Sequence, residues 1–361
     1  MLDLDRLLRL AVDERASDIH LKVGARPFLR VDGTLRETAL EVVEADDTDA
    51  VARRILPEQA VVALHAGADA DVVYGVAGLG RFRASVFHQR GTVGLVIRRV
   101  VPGVPGIDAL GLPPVTTELA SRASGLVLVT GLAGSGRTST LAAMVDHVNE
   151  HDARHIVTVE QPIEVVHADK RSVINQCEVG VDTSTFAEAL EGSLRRDPDV
   201  VAAGALPDAE SALAALEVAD AGGLVFAVGP AVGAVDAVRR VIDLFPIDRQ
   251  GPVRALVART VRGVLCQRLV PRAGGRGRVA AVEVLVANGP VAEALADPHA
   301  TAQLEAHLAD GEFWGMQTFD QSLAGLYRRG LVERDAALAH ATYAPALRIA
   351  LEAADRDRAV A

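Results

Sequence analysis

Residues 131–140, GLAGSGRTST, could hold a phosphate group, because they follow most of the pattern of a phosphate-binding loop. That pattern, G-x-x-x-x-G-K-[ST], is matched by Gly131, Gly136 and Thr138, while Arg137 takes the lysine position. Glycines let backbone N–H groups curl around a phosphate beside the positive end of a helix. The predicted nucleotide-binding residues of this segment are Gly131, Gly134, Ser135, Gly136, Arg137, Thr138 and Ser139. Thr138 is also the predicted Mg²⁺ ligand, through its hydroxyl group.

Arginine at position 137 changes the chemistry that the loop can support. Lysine is a compact point charge, whereas a guanidinium is wider, planar and longer, so we expect a weaker grip on the phosphates and a disturbed transition-state geometry. Lysine occurs only at Lys22 and Lys170, so a general replacement of lysine by arginine is an alternative explanation. An ordinary glycine-rich turn is the alternative for the whole loop, but the flanking elements favour a phosphate site.

Those flanking elements predict an α/β domain. Apolar runs at 125–130, 155–160, 199–205 and 223–228 alternate with helical segments, one of them a helix from about Ser139 to Asn149 directly after the loop. Near-continuous apolar strands separated by helices are typical of a mostly parallel sheet covered on both faces. From about Ala287 the sequence is mostly helical.

Three regions follow from the change of pattern along the chain. Residues 1–100 predict a small α+β domain, with an amphipathic helix first and a tight turn at Asp32–Gly33. Residues 101–114 contain four prolines and three glycines and predict a linker. Residues 115–361 then form the α/β domain with its helical C-terminal part.

Composition excludes several functional classes. The net charge of −11 argues against general nucleic-acid binding, which needs a basic surface. The longest uncharged run, 221–235, is too short for a membrane helix and contains Gly and Pro. Cys177 and Cys266 form no C-x-x-C pair, so neither a disulfide framework nor a zinc site is indicated. We therefore expect a cytoplasmic protein without a transmembrane segment.

Catalytic groups of an open parallel sheet lie beyond the carboxyl ends of its strands. The run 155–160 ends in Glu160, with Glu164 close behind, and these two are the candidate catalytic residues. The runs 199–205 and 223–228 are followed by apolar residues, glycine and proline. Phosphoryl transfer needs acids to hold the metal and activate water, so two of these three strand ends lack the expected chemistry.

The sequence resembles the secretion-type ATPases that power type IV pili and type II secretion, and most of all the PilT-type pilus-retraction motors. Ordered matches cover nearly the whole chain: ASDIHL, VDGTL, RFRASVF, LRRDPDV, IDLFP, QRLVPR and GMQTFDQSL. The resemblance implies a PAS-like N-terminal domain, a RecA-like C-terminal domain, a ring of six subunits, and ATP with Mg²⁺ bound between the domains. It also implies that Arg81 and Arg83 of the RFR stretch reach the nucleotide phosphates.

The sequence departs from the family pattern in the motifs that the resemblance associates with ATP binding and hydrolysis. Besides Arg137 in the loop, the acidic box E-D-P-I-E reads EQPIE, with Gln161 in place of Asp. The stretch G-E-M-R-D reads GALPD, which puts Ala205 where the resemblance implies the catalytic Glu and Pro207 where it implies Arg. Both histidines of the histidine box are replaced, by Gly223 and Pro230.

Three functions are compatible with these residues. The leading hypothesis is a pseudo-ATPase with a regulatory or structural role in pilus retraction and twitching motility. It would join a homomeric or mixed six-membered ring with an active retraction ATPase, next to the inner-membrane pilus platform protein. The second is a slow but genuine motor that uses Glu160 or Glu164. The third is a module that binds a nucleotide without turnover.

Overall fold

The computed structural model describes residues 2–100 and 103–360, which form two compact units that meet in sequence at Gly103–Val104. Each unit has its own hydrophobic core. Within the described residues no helix is long and apolar enough to cross a membrane.

The N-terminal unit contains three helices and six strands. In chain order they are α1 (Leu4–Asp13), β1 (Asp18–Leu21), β2 (Phe28–Val31), β3 (Thr34–Glu37), α2 (Ala45–Ile55), α3 (Glu58–His65), β4 (Ala70–Val76), β5 (Gly80–Gln89) and β6 (Thr92–Val100). The strands form one sheet in the order β3-β2-β1-β6-β5-β4, and all neighbours are antiparallel.

Local sequence explains the first elements of this unit. The apolar residues of α1 recur at helical spacing and are buried, and Asp3 caps the helix by accepting a hydrogen bond from the Arg6 backbone N–H. The predicted tight turn is confirmed between β2 and β3, where Asp32 and Gly33 both have positive φ, at 49° and 83°. The α+β class predicted for this unit is therefore correct.

The C-terminal unit contains eleven α-helices, one short 3₁₀ helix (Glu312–Trp314) and seven strands among its described residues. The helices are α4 (Val115–Ala120), α5 (Arg137–His151), α6 (Phe186–Leu194), α7 (Ala209–Asp220), α8 (Ala234–Asp243), α9 (Gln250–Thr260), α10 (Gly289–Ala296), α11 (Thr301–Asp310), α12 (Phe319–Arg328), α13 (Arg334–Ala339) and α14 (Ala344–Val360). The strands are β7 (Gly125–Gly131), β8 (His155–Glu160), β9 (Val173–Glu178), β10 (Val200–Ala203), β11 (Leu224–Gly229), β12 (Val261–Pro271) and β13 (Arg278–Val286).

The mostly parallel sheet is confirmed. Its strand order is β13-β12-β7-β11-β10-β8-β9, and only the β12–β13 pair is antiparallel. Every residue of β7 and β10 is buried, as expected for central strands covered on both faces. The carboxyl ends of β7, β11, β10 and β8 therefore share one edge of the sheet, where the candidate site lies.

Several boundaries differ from the sequence-based expectation. The helix after the loop begins at Arg137 rather than Ser139, and the strand expected over 199–205 covers only Val200–Ala203. The strands β9, β12 and β13 have no counterpart among the four apolar runs that predict strands in this domain.

The proline- and glycine-rich segment 101–114 begins with residues 101–102, which lie outside the described residues. From Val104 onward the segment belongs to the C-terminal unit. Ile107 and Leu112 are buried in the core of that unit, so this part of the segment is packed rather than free. Burial of apolar side chains thus fixes a stretch whose composition alone indicates a linker.

Candidate nucleotide-binding site

The glycine-rich loop joins β7 to α5 at the centre of the sheet edge. Gly131, Gly134 and Gly136 all have positive φ, at 145°, 76° and 94°, which is a conformation that favours glycine. A Cβ atom on Gly131 would lie 2.4 Å from the Ser135 Oγ atom and 2.5 Å from the Gln267 carbonyl oxygen. The glycine at position 131 is therefore required by close packing as well as by backbone conformation.

The loop presents unpaired donors to a possible anion. Within the described part of the chain, the backbone N–H groups of Gly134 and Gly136 donate to no protein acceptor, whereas the Ser135 N–H donates to the Leu132 carbonyl. The Ser135 hydroxyl is buried and also has no hydrogen-bond partner among the described residues. Gly134 is exposed and Gly136 is half-buried, so of these donors only the Ser135 hydroxyl is both buried and unpaired. Buried polar groups are normally paired, so this hydroxyl, beside two free N–H groups at a helix N-terminus, fits a bound phosphate.

Strand β12 supports the start of α5 from the other side. The Gln267 side-chain amide donates to the Thr140 hydroxyl at 2.8 Å, and both residues are buried. In the sheet register Gln267 pairs with Gly131, the last residue of β7. This contact fixes the first turn of α5 against the sheet, and with it the helix end that faces a phosphate.

Thr138 lies in that first turn and is half-buried, as a metal-coordinating hydroxyl would be. Ser139 is exposed beside it. No group of three or more His, Cys, Asp or Glu residues in the described chain could hold a metal ion. The fit to Mg²⁺ therefore depends on Thr138 and on phosphate oxygens of the nucleotide itself, which is how a phosphate-binding loop holds its metal.

Arg137 is half-buried and lines a cavity of about 720 Å³ beyond the ends of β10 and β11. Its guanidinium makes no hydrogen bond and no ion pair with any residue that the structure describes. Ala205, Pro207 and Pro230, where the family resemblance implies other residues, line the same cavity. Gly223 does not, because it precedes β11 at the opposite edge of the sheet.

The ends of β10 and β11 carry no ionisable side chain near this cavity. Gly204, Ala205, Leu206 and Pro207 follow β10, and Asp208 is the first carboxylate. Asp208 caps α7, since its side chain accepts a hydrogen bond from the Ser211 N–H at 2.8 Å. A carboxylate held in this way is committed to the helix end.

Glu160 ends β8 and is only 7% exposed. Its carboxylate accepts hydrogen bonds from the Thr158 hydroxyl at 2.8 Å and from the Gln176 amide at 3.4 Å. Burial raises the pKa of Glu160, and these hydrogen bonds only partly oppose it. In the strand order β8 is three strands from β7, or about 14 Å at the usual strand spacing.

Glu160 packs beside β10, because a Cβ atom on Gly204 would lie 3.4 Å from the Glu160 Cγ atom. Glu164 is half-buried in the loop after β8. The sheet therefore brings the loop, Arg137 and Glu160 to one edge.

Arg81 and Arg83 lie in β5 of the N-terminal unit. Arg81 is exposed, and the Arg83 guanidinium lies 3.7 Å from the Asp71 carboxylate. Side chains two residues apart on a strand share one face, so both arginines are available on the same side of that sheet.

A strand, a glycine-rich loop and a helix at the centre of a mostly parallel sheet define a P-loop nucleotide-binding protein. The family described as Type II/IV secretion system protein matches residues 2–314. The chain therefore belongs to this family, and its similarity to known proteins places it among the PilT-like type IV pilus ATPases.

Curated relatives cover nearly the whole chain. The type IV pilus retraction ATPase PilT of Pseudomonas aeruginosa is 36% identical over 92% of this chain and 96% of its own length. The type IV pilus ATPase PilU of the same organism is 34% identical over 97% of this chain and 92% of its own length.

A crystal structure of the pilus retraction motor PilT with bound ADP has 37% sequence identity and a TM-score of 0.84. It covers 95% of this chain and 98% of that one. The predicted fold, a PAS-like domain followed by a RecA-like domain with a helical C-terminal part, is thereby confirmed.

Sequence reasoning missed several residues of this edge. Gln267 and Thr140 support the loop, and Arg239 and Arg240 line the cavity from α8. Gln267 is the first residue of the QRLVPR match, so that motif could have indicated it. Nothing in the sequence assigned Arg239 and Arg240 to a site, because charged residues on one helix face are usually solvated.

Proposed function

We propose that this chain binds a nucleotide but hydrolyses ATP poorly, and acts as a regulatory or structural subunit in type IV pilus retraction. The observation that carries the proposal is the chemistry of the cavity beside the loop. Ala205, Pro207 and Pro230 occupy positions where hydrolysis needs an acid or another polar group, and the nearby Asp208 is bound to a helix end.

Nucleotide binding is supported by the unpaired donors of the loop. The described part of the protein supplies no acceptor for the N–H groups of Gly134 and Gly136 or for the Ser135 hydroxyl. These donors, together with the N-terminus of α5, are therefore available to bind an anion. ATP with Mg²⁺ at Thr138 is the ligand we propose. Arg81 and Arg83 are proposed to contact its phosphates, as the family resemblance implies.

In the cell, such a subunit would join rings of six with an active retraction ATPase, in the cytoplasm at the inner-membrane pilus platform. Co-purification of the tagged chain with the active ATPase of the same host supports this role. Recovery of the chain only as a free monomer contradicts it.

The first experiment measures binding of a fluorescent ATP analogue and steady-state phosphate release by the purified full-length chain with Mg²⁺. We expect binding, with release at the background level, because loss of an activating acid or base costs about 10²–10⁴-fold in rate. The double variant Ala205→Glu with Arg137→Lys restores the residues implied by the family and should release phosphate faster than the parent. Rapid release by the parent chain would overturn the proposal.

The slow motor is favoured by one observation, the burial of Glu160. A carboxylate whose pKa is raised by burial is a better proton acceptor once ionised. If the parent chain releases phosphate, Glu160→Gln should abolish the release, with Glu164→Gln as the matched comparison. Release that both variants leave unchanged would point to a contaminating ATPase.

The third function, a nucleotide sensor without turnover, differs in its ligand. Calorimetric titration with ATP, ADP and cyclic dinucleotides separates the cases, because a sensor would prefer one ligand strongly. Equal affinity for ATP and ADP, with no response to cyclic dinucleotides, would leave the ring-subunit proposal as the better account.

A further inference from the structure

The cavity beside the loop is large enough to be a ligand site in its own right. Its volume of about 720 Å³ falls within the range of roughly 300–1,000 Å³ that small-molecule pockets occupy. It lies between Arg137, the ends of β10 and β11, and α8. The loop glycines Gly131, Gly134 and Gly136 are not among the residues that line it.

Most of the cavity wall is apolar. Leu128 and Val228 contribute from the sheet, Val241 from α8, Leu244 from the residue directly after α8, and Leu206 from the segment after β10. Apolar surface of this kind gains free energy when a ligand displaces water from it, at about 25 cal/mol for each Å² covered. The wall therefore favours a ligand with an apolar body.

The arginines at the cavity differ in whether they have an ion-pair partner. Arg239 and Arg240 both bind Asp236, at 2.6 and 2.7 Å, and Arg239 also lies 4.0 Å from Asp243. Arg137 has no acidic partner among the described side chains, although it is half-buried. A partly buried cation next to apolar surface gains most from an anion that fills the remaining space.

We propose that this cavity binds an organic anion with an apolar body, whose anionic group pairs with the Arg137 guanidinium. The anionic group is a carboxylate or a phosphate monoester, since both accept two parallel hydrogen bonds from a guanidinium. The apolar body lies against Ala205, Leu206 and Pro230. This site goes beyond nucleotide binding, and its test is carried out without nucleotide.

The test uses naphthalene-2-carboxylate as the probe, titrated into the full-length chain by calorimetry and by naphthalene fluorescence. The matched neutral probe is naphthalene-2-carboxamide, and 2-naphthyl phosphate distinguishes a phosphate from a carboxylate preference. We expect an anionic probe to bind at least about 10-fold more tightly than the carboxamide, as one charge-assisted hydrogen-bonded pair provides.

Two variants locate the binding site. Ala205→Trp fills the cavity and should abolish binding of the carboxylate, and Arg137→Gln should reduce the affinity of the anion to that of the carboxamide. Arg276→Gln is the control, because Arg276 is an exposed arginine in the turn between β12 and β13. Thermal melting shows whether each variant is folded.

The outcomes separate the possibilities. Equal affinity for the carboxylate and the carboxamide, or binding that Arg137→Gln leaves unchanged, would overturn the proposal. If neither naphthalene-2-carboxylate nor 2-naphthyl phosphate binds, the proposal is overturned as well. If the parent chain binds a naphthalene anion but does not bind the ATP analogue, only the nucleotide proposal is contradicted. Failure of the nucleotide proposal and failure of the anion-site proposal therefore give different results.

Discussion

Gly131→Ala tests whether the packing of its neighbours fixes the loop in a phosphate-binding shape. The added Cβ would lie 2.4 Å from the Ser135 Oγ atom and 2.5 Å from the Gln267 carbonyl oxygen. The Ser135 side chain can rotate away, but the carbonyl belongs to β12 and is held by the sheet. The substitution therefore displaces either the loop or the strand that supports α5.

Two contributions set the size of the effect. A residue with a side chain costs about 1–2 kcal/mol in a left-handed backbone conformation, and forcing extra volume into a packed region costs about 1–3 kcal/mol more. Together they predict a loss of about 3 kcal/mol, or roughly 6–12 °C in the melting temperature of a domain this large.

Gly134→Ala is the matched control. Its φ of 76° is also positive, but no atom lies within 4 Å of the added Cβ. We expect only the backbone contribution, about 1–2 kcal/mol or roughly 2–8 °C. Thermal melting by circular dichroism, with ATP-analogue binding measured in parallel, compares the two variants. Equal losses of stability would refute the packing argument, because only Gly131 meets the sheet.

Three further predictions concern other parts of the chain. Burial opposes ionisation of Asp18, yet hydrogen bonds from Ser17 and Arg98 outweigh it and lower its pKa. The ionised Asp18 carboxylate therefore stabilises the fold at pH values above its unfolded pKa, and this stabilisation is lost as the pH falls through its folded pKa. The urea midpoint of the parent should exceed that of Asp18→Asn near neutral pH, and the two midpoints should converge only in acid. Glu283, whose pKa burial raises, accepts hydrogen bonds from the backbone at the starts of α8 and α12. Glu283→Ala leaves these two N–H groups unpaired and should cost about 2–6 kcal/mol, since each unpaired buried group costs about 1–3 kcal/mol. Glu283→Gln should cost less in the same urea assay. Burial raises the pKa of the Cys266 thiol to about 11, so mass spectrometry after iodoacetamide at pH 8 should show Cys266 alkylated only in urea.

The order of strand, loop and helix was predictable from the sequence because it depends on local patterns. The apolar run of β7, the glycines after it and the helix that follows each show in a window of about ten residues. Glycine at positions 134 and 136 follows from backbone conformation alone. The resemblance to the pilus ATPases added the family, which the comparisons confirm, and pointed to the positions on which the proposed loss of hydrolysis rests.

The sequence by itself determined the class of fold, the phosphate-binding loop and the residue types at each strand end, since these depend on neighbours along the chain. Only the tertiary structure decided which of those residues meet. The register of β12 places Gln267 beside Gly131, the strand order sets Glu160 three strands away from the loop, and α8 closes a cavity over Arg137. The pairing of Gln267 with Gly131 joins residues more than a hundred positions apart in the chain. No local pattern specifies such contacts, because they arise from the packing of whole elements against one sheet.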